Sequence, residues 1–582
     1  MGRLLASGFF EGGPESVGVQ GHGVLLHLLA GTGDDGGPPL LVDLEHQRPR
    51  LRLGVPEVGL EHVADIAHEI DGVVPHHDDP GLVRVGLLDR PHLFPGVRAG
   101  CKAYCHTPHS RWTHPRVPAG YSYSGHPAIV LRVTDAVTSD PPAPVTFPNS
   151  ALFTDQYELT MLQASLHSGA AHRRSVFEAF ARRLPAGRRY GVVAGTGRLL
   201  EALAGFRFDD TQLSFLADRR IVDDTTLAWL ADFRFTGSIS GYAEGEAYFP
   251  HSPILTVEST FAEACILETL ILSILNHDSA IAAAASRMTG AAAGRPCIEM
   301  GSRRTHEESA VAAARAAIIG GFASTSSLEA GRRYGLSTVG TAAHSFTLLH
   351  DSERAAFEAQ VAALGRGTSL LVDTYDVEQG VRTAVDVAGP ELGAVRLDSG
   401  DLVAQARWVR QLLDDLGNHT TKIVVTSDLD EFAIGLLASA PVDSYGVGTS
   451  LVTGSGAPTA GMVYKLVSRQ DDDGDFVAVA KAATNKASVG GIKRALRRLD
   501  EHGTAQAEVV GIGLSPADDG NDRPLMQQFV RDGSLLQGWT GAAAVARATE
   551  HHALSMAELP AAVRRLQRGE PVIPTEYEEV SA

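Results

Sequence analysis

The chain has 582 residues, 44% of them hydrophobic and 20% charged, so it can bury more than one core and is not disordered throughout. Lys and Arg number 50 against 69 Asp and Glu, a formal charge of −19, which excludes the broad basic field that non-specific binding to nucleic acid or an anionic membrane needs; anionic ligands must be held locally. Four cysteines (Cys101, Cys105, Cys265, Cys297) are too few and too scattered for a disulfide scaffold and suit a reducing cytosol.

Residues 1–147 read as a low-complexity extension. The first 150 residues hold 12 of the 23 histidines, 17 of the 29 prolines and a single lysine, Lys102. Breakers such as GTGDDGGPP and PPAPVTFP leave little room for regular elements, and no fold is derivable there. LLASGFF at 4–10 is too short for a secretory signal, so the chain is expected in the cytoplasm. CKAYCHTPHSRWTH brings Cys101, Cys105, His106, His109 and His114 within metal-binding reach, but the spacing matches no standard zinc pattern. Because the chain looks self-sufficient from about residue 150, this segment is expected to be dispensable, either a lineage-specific, disordered tail or the product of a start codon set too far upstream.

Residues 148–262 mix helical and alternating patterns, as in SISGYAEGEAYF at 238–249, and are expected to form the first part of an α+β domain. The most apolar stretch, ACILETLILSILN at 264–276, is broken by Glu268 and falls short of the roughly 18 residues that a membrane span needs. It predicts a buried helix.

Residues 263–452 are expected to form an α/β barrel. Short β-branched runs (GFAST at 321, STVGTA at 337, SLLVDTYD at 369, AVRLDSG at 394, KIVVTSD at 422, DSYGVGTS at 443) alternate with amphipathic runs, the mark of parallel βα units. In DLVAQARWVRQLLDDLG, Leu402, Ala406, Val409, Leu413 and Leu416 make one apolar stripe. Polar residues gather where the strands end: Thr341 and His344, Asp373 and Asp376, Arg396 and Asp398, Ser427 and Asp428, Gly448 and Thr449. That edge is where parallel sheets build ligand sites. Ser427 and Asp428 serve equally well as helix caps. Arg396 is a poor cap and costly to bury alone, which points to an anionic ligand or an internal ion pair. GVGTSLVTGSGAP reads as a glycine-rich turn able to cradle phosphate. Residues 453–582 are again mixed and are expected to complete the α+β domain; Lys481, Lys486, Gly490, Gly491 and Lys493 form a basic loop suited either to phosphates or to solvent.

Taken in order, TDQYELTM, FEAFARRLP, EMGSRRTHE, GTAAHSF, VRLDSGD, YGVGTSLVT and MVYKLV resemble the nicotinate phosphoribosyltransferases from about residue 150 onward. The resemblance implies a type II phosphoribosyltransferase fold: an irregular α/β barrel with an α+β domain formed by the N- and C-terminal flanks, acting as a homodimer with shared active sites. It implies an ATP-coupled ligase that joins nicotinate to 5-phosphoribosyl 1-diphosphate with Mg²⁺, the first step of NAD salvage from nicotinate. By motif, His344 looks like the histidine that ATP phosphorylates, with Asp398 near the ribose. Tyr157, Thr341 and Arg396 resemble nicotinate contacts, Tyr157 reaching in from the neighbouring subunit. Thr449, Gly446, Gly448, Arg303 and Ser399 resemble phosphoribosyl-diphosphate contacts; the resemblance assigns no metal ligand here. Met300 stands where relatives specific for nicotinamide carry an aromatic. The rival readings are a nicotinamide or quinolinate phosphoribosyltransferase, or an inactive barrel serving as a binding partner.

Overall fold

The computed structural model describes residues 149–481 and 488–579 and three strands near the N-terminus. The chain divides into two compact units, 1–135 and 136–582. In the first, Val73–His76, Asp79–Val85 and Ala103–His106 form an antiparallel sheet in that order. The closely spaced Pro and Gly residues left little room for regular elements and no derivable fold. These strands of 4 to 7 residues include breakers: Pro75 lies on an edge strand, where a missing N–H is tolerated, and Pro80 is the second residue of the central strand. The side chains of CKAYCHTPHSRWTH lie outside the described residues.

Six parallel strands organise the centre of the second unit: β1 (Cys297–Glu299), β2 (Ser324–Thr325), β3 (Ser369–Leu371), β4 (Ala394–Leu397), β5 (Lys422–Val425) and β6 (Ser444–Val447). Their spatial order is β2-β1-β6-β5-β4-β3. Read as a ring, chain neighbours are spatial neighbours and β6 closes onto β1, so the sheet is a barrel left open between β2 and β3. The sequence places STVGTA in a strand at this point; the structure gives it one parallel bridge, Thr325 to Thr338. Gly340 and the short polar run around it extend no ladder, and the segment lies across the gap. The strand that replaces it is β1, whose three residues are too short to show a period.

A seven-stranded antiparallel sheet combines both flanks of the barrel. Met462–Gln470 pairs with Arg174–Ala181, and Met526–Arg531 with Ser238–Tyr242. The apolar stretch predicted as a buried helix lies in Phe261–Cys265 and Glu268–Ala291. This region is apolar enough to span a membrane by composition, yet 67% of its apolar window is buried inside the protein. Leu270, Ile271, Ile274 and Leu275 pack in the core of the antiparallel sheet, whereas Ile281, Ala282, Ala285 and Met288 pack in that of the barrel. One helix thus links the two cores. Its alanine-rich second half lies against Glu307–Ile319, also alanine-rich, and small side chains let such helices approach closely.

Candidate active site

The carboxyl ends of β1, β4, β5 and β6, with the segment across the gap, enclose a cleft of about 470 Å³. Its lining includes Arg303, Thr341, Arg396, Asp398, Gly446, Gly448 and Thr449, seven residues singled out from the sequence, together with Met300, Thr426, Ser427 and Asp428. His344 and Ser399 adjoin it through Asp398 and Asp373. Tyr157 is not brought there: it sits in the first turn of Gln156–Ser168 and is 46% exposed. A second hollow, of about 440 Å³, lies beside that helix and is lined mainly by apolar and small residues with Arg173 and Arg469.

Arg396 is the third residue of β4, one strand in from the gap. One terminal nitrogen donates to the Thr341 hydroxyl and to the Ala342 carbonyl at 2.9 Å, tying the gap segment to the sheet. Its Nε is buried and has no hydrogen-bond partner. Burial lowers its pKa, and Asp398 and Asp373 oppose that shift. A guanidinium stays charged under such perturbation, so the cleft holds a cation that the described residues leave incompletely satisfied.

His344 begins the helix His344–Leu348. Its Nδ1 lies 3.1 Å from the Thr374 hydroxyl, and its Nε2 is 4.0 Å from Asp373 and 3.8 Å from Asp398. The Asp373 side chain is almost fully buried. One of its oxygens accepts from the Asp398 amide at 2.8 Å and the Ser399 hydroxyl at 2.9 Å, and the other has no partner. Thr426 donates to Asp398. Behind this group Glu353 is pushed up to about 7 by burial, then by Asp376 and Asp373. The arrangement offers an imidazole nucleophile anchored at one nitrogen, with two carboxylates alongside.

The polar strand ends divide between capping and the cleft. Asp376 caps Val377–Ala388, donated to by the Gln379 amide at 2.9 Å. Ser427 and Asp428 are not caps: Asp430 caps Glu431–Leu437, leaving both to line the cleft. Ser427 has φ +128°, a strained conformation for a non-glycine residue, and such strain concentrates at functional sites. The predicted glycine turn is also corrected. Gly446 lies within β6, and a β-carbon there would stand 2.6 Å from Thr426 and 2.7 Å from Met300. It lines the cleft from within a strand, where only a glycine fits against Thr426 and Met300; Gly448 alone precedes the short helix Thr449–Val452. Lys493 of the basic loop is buried against Glu178 at 3.0 Å, so it is not available to phosphates. Lys486 lies outside the described residues. Thr374 and Thr426 are site residues that the sequence reading did not name; Asp373 was named only as one of the polar strand ends, without a specific role.

The family profile for the nicotinate phosphoribosyltransferase (NAPRTase) N-terminal domain matches residues 152–276. A nicotinate phosphoribosyltransferase of Mycobacterium tuberculosis, pncB1, is 57% identical over 435 residues, covering 73% of this chain and 95% of that protein. The nicotinate phosphoribosyltransferase of Bacillus subtilis is 37% identical over 363 residues, covering 60% of this chain and 74% of its own length. Among solved structures, human nicotinic acid phosphoribosyltransferase superposes with a TM-score of 0.62 at 24% identity, covering 73% of this chain and 97% of the human one. At that identity the likeness is one of fold.

Proposed function

The chain belongs to the nicotinate phosphoribosyltransferase family, and on that premise we propose how its cleft carries the reaction. It has the type II phosphoribosyltransferase fold and makes nicotinate mononucleotide from nicotinate and 5-phosphoribosyl 1-diphosphate, in NAD salvage from nicotinate. The observation that carries our reading is Arg396, a half-buried cation at a strand end whose described partners are only a hydroxyl and a carbonyl. A guanidinium matches the planar pyridine carboxylate in charge and geometry, which an amide substrate does not. Thr341, already bonded to Arg396, completes the nicotinate end of the cleft, and Tyr157 of a second copy closes over the ring in a homodimer with shared active sites.

Thr449, Gly446, Gly448, Arg303 and Ser399 frame the phosphoribosyl-diphosphate end. Departure of diphosphate leaves positive charge at the ribose C1, and the Asp398 carboxylate offsets it electrostatically. A hard divalent cation takes oxygen ligands, and Asp373, with one buried oxygen lacking a hydrogen bond, fits such an ion together with Asp398. There Mg²⁺ would neutralise part of the leaving group's charge.

His344 accepts the γ-phosphoryl group of ATP, releasing ADP, the added negative charge orders the cleft around its substrates, and water later removes the group as phosphate, so that ATP hydrolysis is expressed as affinity. The cytoplasm is the compartment that fits a chain whose described cysteines, Cys265 and Cys297, are free and buried. Incubation with ATP is expected to yield an acid-labile phosphohistidine that His344→Ala abolishes, together with ATP stimulation of turnover. An alanine variant that still responds to ATP would remove His344 from this role.

A further inference from the structure

Two long helices begin side by side without caps of their own. In Gln156–Ser168 the Asp155 side chain makes no capping hydrogen bond, and in Glu268–Ala291 the residue at that position is Leu267, which has none to offer. Exposed amides at helix starts need acceptors. Glu158, in the first turn of the first helix, supplies one to the second and is itself held by the Thr154 hydroxyl just ahead of its own helix. It is fully buried; one oxygen accepts from the Thr269 amide at 2.9 Å and from the Thr269 hydroxyl, and the other accepts from the Thr154 hydroxyl.

This carboxylate is costly where it stands. Among the described residues it forms no ion pair, since the nearby Lys465 pairs with Glu268 at 3.3 Å. Burial pushes it up to about 7 despite its hydrogen bonds to Thr154 and Thr269. An apolar side chain would fill the position at less cost, so the carboxylate is retained for what it orients.

Successive helical residues turn by about 100°. With Glu158 held inward beside Leu159 and Leu162, Tyr157 must face outward, and it is 46% exposed, one turn before the exposed Met161. We infer that Glu158 is a positioning residue for Tyr157, fixing the direction in which the ring is presented to the neighbouring subunit's cleft; this rests on the reading that Tyr157 meets nicotinate.

The test is steady-state kinetics on the full chain with both substrates varied, for Tyr157→Ala, Glu158→Ala, Glu158→Gln, Thr154→Ala and the Tyr157→Ala/Glu158→Ala pair. Glu158→Ala is expected to raise the nicotinate KM by about tenfold while leaving that for phosphoribosyl diphosphate within about twofold. Glu158→Gln, whose amide oxygen can still accept from Thr269, should restore most of the loss, and in the Tyr157→Ala background Glu158→Ala should add almost nothing. Thr154→Ala, which loosens the clamp without removing it, should give a smaller rise of the same selectivity and serves if Glu158→Ala does not fold. Equal rises for both substrates, or additive effects in the pair, would overturn the inference and leave Glu158 a general stabiliser. A native nicotinate KM in Glu158→Ala, or in Thr154→Ala where that variant stands in, overturns it while leaving Tyr157's role intact, provided Tyr157→Ala raises the KM. If Tyr157→Ala leaves the nicotinate KM unchanged, the underlying reading fails and the inference falls with it.

Discussion

Arg396 and Glu158 show two ways of placing a charge out of bulk water. Arg396 could be picked out of the sequence because a cation ending an apolar strand has no ordinary structural use. Glu158 could not, because a glutamate in the first turn of a helix is unremarkable until Thr269, more than a hundred residues away, is seen to donate to it. The same reason left Asp373 one polar strand end among several, since its role depends on Asp398 and Ser399 converging on it. Glu158 has a measurable consequence for stability. Its usual value is 4.5 and in the fold it is about 7, so between these the folded protein keeps a proton that the unfolded chain has released. Stability therefore falls as pH rises through this interval. Urea midpoints should drop more for the native protein than for Glu158→Gln between about pH 5 and about pH 8. An identical drop in both would show that Glu158 titrates normally.

Among the elements, long periodic helices were legible and short strands were not. The stripe in Leu402–Asp415 buries Ala406, Val409 and Leu413 as its spacing required. β1 and the gap at STVGTA were exchanged in the sequence reading, since three or four residues carry too little pattern to separate a strand from a strand-like loop. That exchange matters, for the gap segment carries Thr341 and leads into His344. The helix Glu268–Ala291 joins both cores, and its contact with Glu307–Ile319 depends on small side chains. Ala285 is fully buried there, and a β-carbon on Gly320 would lie 2.6 Å from its methyl group. Ala285→Leu should lower the unfolding free energy by about 1–3 kcal/mol, read from the urea midpoint. An unchanged midpoint would mean that the two helices can separate at little cost.

At the scale of the whole molecule, the composition break near residue 150 lies where the family profile begins, at residue 152, and the Mycobacterium tuberculosis protein aligns over 95% of its length with 73% of this chain. Residues 147–582 expressed alone should be soluble and active, and an insoluble or inactive product would show that the leading segment belongs to the working enzyme. A charge of −19 on a protein whose substrates are anions is reconciled by concentrating cations in one cleft, chiefly Arg303 and Arg396. The acid selectivity of that cleft is the central claim, and competition between nicotinate and nicotinamide for phosphoribosyl diphosphate in one assay tests it most directly. The native protein should form nicotinate mononucleotide almost exclusively, and Arg396→Ala should lose about 2–3 kcal/mol of that preference, roughly 30- to 150-fold. Comparable use of nicotinamide by the native protein, or a preference for nicotinate undiminished in Arg396→Ala, would contradict it.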